Sequence, residues 1–153
     1  MGEQLNAGDI CTRDVAFVYR STPVDDAARL MREHHVGSVV VVDETDQGRV
    51  VVGMLTDRDI VTGIVAKDVD PGGVRVGDAM SAELLTAREG DALTELLGAM
   101  RRKGVRRVPV VDAGGVLVGL VALDDVLEIV AQQLSLVVQA IATGRQREPA
   151  TRP

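Results

Sequence analysis

Gly53-Met54-Leu55-Thr56-Asp57-Arg58-Asp59-Ile60 returns 66 residues on as Gly119-Leu120-Val121-Ala122-Leu123-Asp124-Asp125-Val126, with Gly53, Asp59 and Ile60 meeting Gly119, Asp125 and Val126. Upstream of both strings the correspondence continues at an offset of 69, so that Gly8-Asp9, Met31-Arg32 and Val41-Val42-Asp43 fall on Gly77-Asp78, Met100-Arg101 and Val110-Val111-Asp112. The change of offset lies between Asp43 and Gly53, at a hairpin. Insertions are tolerated at hairpin tips and not inside packed elements, so the repeat is a structural unit. The chain is two copies of one unit, and a pair of units has a seam.

Each copy reads as a short strand, a helix, a strand, a hairpin, a returning strand and a second helix. Ala16 to Tyr19 is the first strand, and Ser21-Thr22-Pro23-Val24-Asp25 predicts a helix start with a hydroxyl cap and proline at the first helical position. In copy two Asp91 takes the cap position, with Leu93, Leu96, Leu97 and Met100 as the apolar stripe and Gly104 as the left-handed end. The runs Val39–Val42 and Val108–Val111 predict strands buried on both faces. Val50–Leu55 and Val116–Val121 return from the hairpins, and helices follow from about Asp57 to Ala66 and from Asp124. The sequence thus divides into a first repeat at 7–66, a linker at 67–75 containing Asp70-Pro71-Gly72-Gly73, and a second repeat at 76–133. The last helix predicts an extension over 134–143, with Val126, Val130, Leu134, Val137 and Ile141 on one stripe, covered either by its own domain or by another subunit. Residues 144–153 lack large apolar side chains and predict a disordered tail.

The 153 residues carry a formal charge of −6, are 46% hydrophobic and contain one phenylalanine, one tyrosine and no tryptophan. The core must be aliphatic, aromatic base-stacking platforms are missing, and the acidic balance argues against nucleic-acid and anionic-membrane partners. One cysteine, Cys11, excludes an intramolecular disulfide. With no N-terminal signal pattern and no run of 18 apolar residues, the expectation is a soluble cytoplasmic protein.

The candidate chemistry sits where a strand runs into a helix. Unpaired N–H groups at a helix start favour an anion, and Gly53 lets another group approach the backbone. The spacing of Thr56 and Asp59 is equally that of a capping box, and the two readings stand side by side. Copy two has Ala122 in place of the hydroxyl but keeps Asp125. It also carries Arg106-Arg107 where copy one has Gly37-Ser38. Taken alone, paired arginines also suit a solvated strand end. If the copies face each other across a pseudo-twofold axis, Thr56 and Asp59 confront Arg106 and Arg107, and a diol would suit the acid while phosphate suits the guanidinium pair. The mirror cleft then holds Ala122, Asp125, Gly37 and Ser38 without a fixed cation. His34 and His35 are adjacent and diverge on a helix, which disfavours a metal, and no general base stands beside a nucleophile, so the reading is not an enzyme.

Together, the doubled pattern, Gly53-Met54-Leu55-Thr56 with Asp59, and Val105-Arg106-Arg107-Val108-Pro109-Val110-Val111-Asp112 resemble a tandem pair of cystathionine-β-synthase (CBS) domains, a Bateman module, over about residues 7–132. The resemblance implies an α/β (α+β) fold of two pseudo-twofold-related β-α-β-β-α repeats packed through their sheets. It implies an adenosine-type ligand (AMP, ATP, S-adenosylmethionine or NAD) with no obligatory cofactor and no metal. Asp59 would hold the ribose hydroxyls, Thr56 the ribose or phosphate, Met54 would lie near the base, and Arg106 and Arg107 would meet phosphates, with Arg58 in the same set. Ala122 departs from the pattern and makes Asp125, Ala122 and Ser38 a secondary, weaker site. Such modules commonly form dimers, so a homodimer that regulates another protein is expected, as in the small stand-alone bacterial members. The rival reading is an interaction scaffold whose C-terminal helix recruits a partner.

Overall fold

The computed structural model describes residues 5–151, with side chains as far as Gln146. The valine runs become the central strands, and every residue from Val39 to Val42 and from Val108 to Val111 is buried. In the first repeat β1 (Phe17–Tyr19) pairs parallel to β2 (Ser38–Thr45), which pairs antiparallel to β3 (Gly48–Thr56). The second repeat copies this with β4 (Ala87–Arg88), β5 (Arg107–Val111) and β6 (Leu117–Ala122). Both sheets have the central strand in the middle, and each carries a bulge at the equivalent place, Val41/Val42 and Val110/Val111. The first hairpin is longer at its tip, where the repeat offset changes.

Helices α2 (Val24–His34) and α5 (Leu93–Lys103) cover one face of each sheet. Both end on a left-handed residue, His35 at φ 54° and Gly104 at φ 67°. Their starts differ from the sequence expectation. Pro23 and Ala92 occupy the cap positions without side-chain caps. The expected hydroxyl cap and Asp91 instead close the preceding turn: Tyr19 N donates to Thr22 Oγ1 at 3.0 Å and Arg88 N to Asp91 Oδ2 at 2.9 Å. A short polar side chain one or two residues before a helix can satisfy the turn or the helix, and here the strand exit takes it.

The two repeats exchange their leading segments, which the linear division of the sequence does not anticipate. Helix α1 (Ala7–Ile10) buries Ala7 and Ile10 in the core formed by Ala87, Leu96, Met100, Val108 and Val121, all from the second repeat. Helix α4 (Val76–Ala79) buries Val76 in the core of the first, with Val24, Met31, Val39 and Leu55. The exchange is symmetric bond by bond. Ala7 N donates to the Asp91 carbonyl and Val76 N to the Thr22 carbonyl, both at 2.8 Å, and Gly8 N and Gly77 N donate to the carbonyls of Glu89 and Arg20, both at 2.9 Å. The strand returning from each hairpin then meets the other repeat's leading segment. Met54 and Ser81 exchange backbone hydrogen bonds, and so do Leu120 and Thr12.

Helix α3 (Asp57–Ile60) continues as one π-helical turn over Val61–Val65. Helix α6 runs from Leu123 to Thr151, past the Thr143 end that its apolar stripe suggested. Most of the segment read as a disordered tail therefore carries helical backbone; the last two residues lie outside the described ones. A helix already started propagates at one hydrogen bond per residue, so polar residues can continue what an apolar face began. The part Leu123–Gln146 is long and apolar enough, by length and composition alone, to cross a bilayer. A count of uninterrupted apolar residues misses it because Gln132, Gln133, Ser135 and Gln139 break the run.

Candidate ligand site between the repeats

Thr56 ends β3 directly opposite Ser38 on β2, and Arg107 begins β5 directly opposite Ala122 on β6. These strand ends come from different repeats and meet at the seam. A hollow of about 620 Å³ opens there, within the range of small-molecule sites, and Met54, Thr56, Arg58, Asp59, Arg106 and Arg107 all line it. The six residues named from the sequence are thus brought to one place. Met54 is buried, Thr56, Asp59 and Arg107 are half-buried, and Arg58 and Arg106 are exposed at the mouth.

The capping box and the ligand hollow coexist in the same residues. Asp59 N donates to Thr56 Oγ1 at 3.1 Å, and Thr56 N donates to Asp59 Oδ2 at 3.0 Å. The hydroxyl hydrogen of Thr56 remains to donate, and Asp59 Oδ1 remains to accept. The expectation that the helix start offers free amides to an anion is corrected. Asp57 N is taken by the Gly37 carbonyl at 2.9 Å and Arg58 N by Asp57 Oδ1 at 2.8 Å, so the first turn is already satisfied within the protein. Positive charge for an anion comes instead from the three guanidinium groups. Of these, Arg106 is held by Asp124 (Nη2 to Oδ1, 3.1 Å) in a solvent-exposed pair, while Arg107 makes no ion pair among the described residues.

A second hollow, of about 240 Å³, is the pseudo-twofold mate of the first and is lined by Ser38, Ala122 and Asp125. It does contain a fixed cation, contrary to the sequence reading: Arg107 lines both hollows, because a strand-end residue at the seam borders both sides of it. Against that one guanidinium stand Asp14, Asp124 and Asp125. The larger hollow sets three arginines against Asp57, Asp59, Glu83 and Asp124, and the smaller sets one against three aspartates, so the larger is the less unfavourable of the two for an anion. Ser38 lies between the two hollows, is 4% exposed, and its Oγ has no hydrogen-bond partner among the described residues.

Sequence reasoning missed Leu84 and Leu85, which give the larger hollow an apolar wall, and Ser81 and Glu83 beside them. Their equivalents Thr12, Asp14, Val15 and Ala16 line the smaller one. These segments belong to no helix or strand with a readable period; the repeat alignment, carried through the linker, was the signal that pointed to them. Among the described residues no group of three or more His, Cys, Asp and Glu side chains is placed to hold a metal ion. Away from the site, Arg49 lies over the Phe17 ring, 4.4 Å from its centroid, and its guanidinium is raised above its usual range by Tyr19 and Glu44.

The profile of the family described as "CBS domain" matches residues 7–66 and 76–132. The chain belongs to the CBS domain family. Its architecture of two three-stranded sheets and six helices is that of a tandem CBS pair. This CBS pair is 40% identical over 117 residues to "CBS domain-containing protein YhcV" of Bacillus subtilis, covering 76% of this chain and 79% of that protein. It is 35% identical over 125 residues to "Uncharacterized protein MK0525" of Methanopyrus kandleri, covering 82% of this chain and 62% of that protein's length. Among solved structures it superposes on CBSX2 in complex with AMP with a TM-score of 0.70 at 30% identity, covering 84% of this chain and 97% of that one.

Proposed function

We propose that this CBS pair is a non-catalytic sensor of adenosine nucleotides, a cytoplasmic homodimer that takes AMP, ATP or a related adenosyl ligand in the larger hollow and passes its occupancy to a regulated protein. The observation that carries this reading is that an acid, a hydroxyl and a buried thioether from the first repeat share one hollow with two arginines from the second. The acid suits a ribose diol, the guanidinium groups suit phosphate, and Met54 with Leu84 and Leu85 offers an apolar surface to a base. The AMP complex of CBSX2, at 30% identity, supports the same ligand class. NAD and S-adenosylmethionine share the adenosyl part and belong to the same test.

Titration calorimetry with AMP, ATP, NAD and S-adenosylmethionine is expected to show binding that Asp59→Ala weakens by roughly tenfold or more and Asp125→Ala largely preserves. Equal loss in both variants would overturn the assignment to the larger hollow, and no heat with any of the four would overturn the ligand class. One observation favours the scaffold reading, in which α6 recruits another protein: every residue from Val130 to Gln146 is exposed. Capture of a partner that truncation after Gln133 removes, together with no nucleotide binding, would select it.

A further inference from the structure

Helix α6 leaves its own domain early. Val126 is buried in the second core and Ile129 packs against it, but from Val130 to Gln146 every residue is exposed. The uncovered part is patterned. Leu123, Leu127, Val130, Leu134, Val137 and Ile141 follow alternating steps of four and three, the spacing of one two-helix seam, and all are exposed, Leu127 at 68% and Leu134 at 62%. The opposite line of the helix carries Asp125, Gln132 and Gln139 seven residues apart, with Leu136 and Val138 exposed off the stripe. Between Glu128 and Arg145 there is no charged residue.

We propose that α6 closes an antiparallel seam with the α6 of a second copy of this chain, Val130 of one against Ile141 of the other. The proposal rests on the homodimer part of the reading above and not on its ligand. Charge polarity selects both the occupant and the direction. The helix begins with Asp124, Asp125 and Glu128 and reaches Arg145 at the far end of the seam. A parallel pair would gather six acids at one end, whereas an antiparallel pair with Val130 against Ile141 brings Asp124 of each copy beside Arg145 of the other, on the same flank of the seam. A bilayer is the weaker occupant. With Val126 and Ile129 held in the second core, the uncharged part of the free helix, Val130 to Gly144, is about 22 Å long before Arg145, short of the roughly 30 Å hydrocarbon thickness. Its polar face also holds glutamines, without the lysines and arginines of a helix that lies on lipid.

The full chain is tested by light scattering, cross-linking and vesicle binding. The wild type is expected to have the mass of a dimer, and Leu134→Glu, at an exposed position that leaves the fold intact by circular dichroism, to raise the dimer dissociation constant at least a hundredfold. In a Cys11→Ser background, co-expressed Val130→Cys and Ile141→Cys chains are expected to form a mixed disulfide. Val130→Cys alone is expected to form none, since the two cysteines would lie about 16 Å apart along the antiparallel axis. A wild-type monomer would overturn the homodimer reading and the seam with it. A Leu134→Glu dimer would overturn the seam and leave the homodimer standing, and self-cross-linked Val130→Cys would overturn its direction. A monomer that sediments with vesicles of equimolar phosphatidylcholine and phosphatidylglycerol would replace the second copy by lipid.

Discussion

Gly53 of the first repeat lies against Met80 of the second so closely that a Cβ placed on it would stand 2.6 Å from the Met80 sulfur and 2.8 Å from the Ser81 carbonyl oxygen. Gly119 repeats the relationship with Cys11, at 2.7 Å from the sulfur and 2.8 Å from the Thr12 carbonyl oxygen. Each glycine lets the returning strand dock on the other repeat's leading segment, and that docking places both hollows. The glycines are required for contact between halves and not for a turn. Gly53→Ala is expected to destabilise by about 1–3 kcal/mol, because Met80 can swing aside but the Ser81 carbonyl is fixed by its hydrogen bond. A denaturant melt in which Gly53→Ala and Gly119→Ala match the wild-type midpoint would refute the close approach.

Ile10 sits in the core of the repeat that follows it. Ile10→Ala is therefore expected to cost about 2–4 kcal/mol, a core-sized loss from a residue near the chain start. Deletion of residues 1–12 is expected to cost more, since it also removes Ala7 and the Thr12–Leu120 hydrogen bonds. Urea titration of both variants checks this; a deletion variant with unchanged stability would mean that the leading segment is not part of the second core.

Asp59 serves the cap and faces the hollow, and the two duties separate by substitution. Asparagine keeps an oxygen for Thr56 N, so Asp59→Asn is expected to hold the melting temperature, whereas Asp59→Ala loses about 0.5–2 kcal/mol of cap. Both are expected to weaken nucleotide binding, by roughly tenfold or more, because a charge-assisted hydrogen bond contributes about 1.5–3 kcal/mol. Thermal melts paired with calorimetry would expose the failure: an asparagine variant with wild-type affinity would leave Asp59 a cap alone.

Asp124 holds Arg106 at the mouth of the larger hollow and adds a negative charge there. Asp124→Asn is expected to tighten ATP binding several-fold, more at low salt than at high, by freeing Arg106 and removing the carboxylate. Its effect on stability is expected to be small, about 0–1 kcal/mol, since both partners are largely exposed. Weaker ATP binding in this variant, measured at two salt concentrations, would place Asp124 among the groups that hold the ligand.

The doubling, the strand order within each unit and the buried central strands were all legible in the residues, because insertions avoid packed elements and uninterrupted valine runs fit only strands covered on both faces. Thr56, Asp59, Arg106 and Arg107 of the larger hollow were legible too, through the comparison of Thr56 and Asp59 with Ala122 and Asp125, and of Arg106-Arg107 with Gly37-Ser38, while Met54 and Arg58 were named only through the family resemblance. Folding alone decided the rest. The exchange of α1 and α4 between repeats leaves no mark on hydrophobic period, since an apolar face reads the same whichever core it enters. The position of Arg107 on both hollows and the satisfaction of the α3 amides depend on how the two sheets meet, and that contact is made by backbone groups that every residue carries.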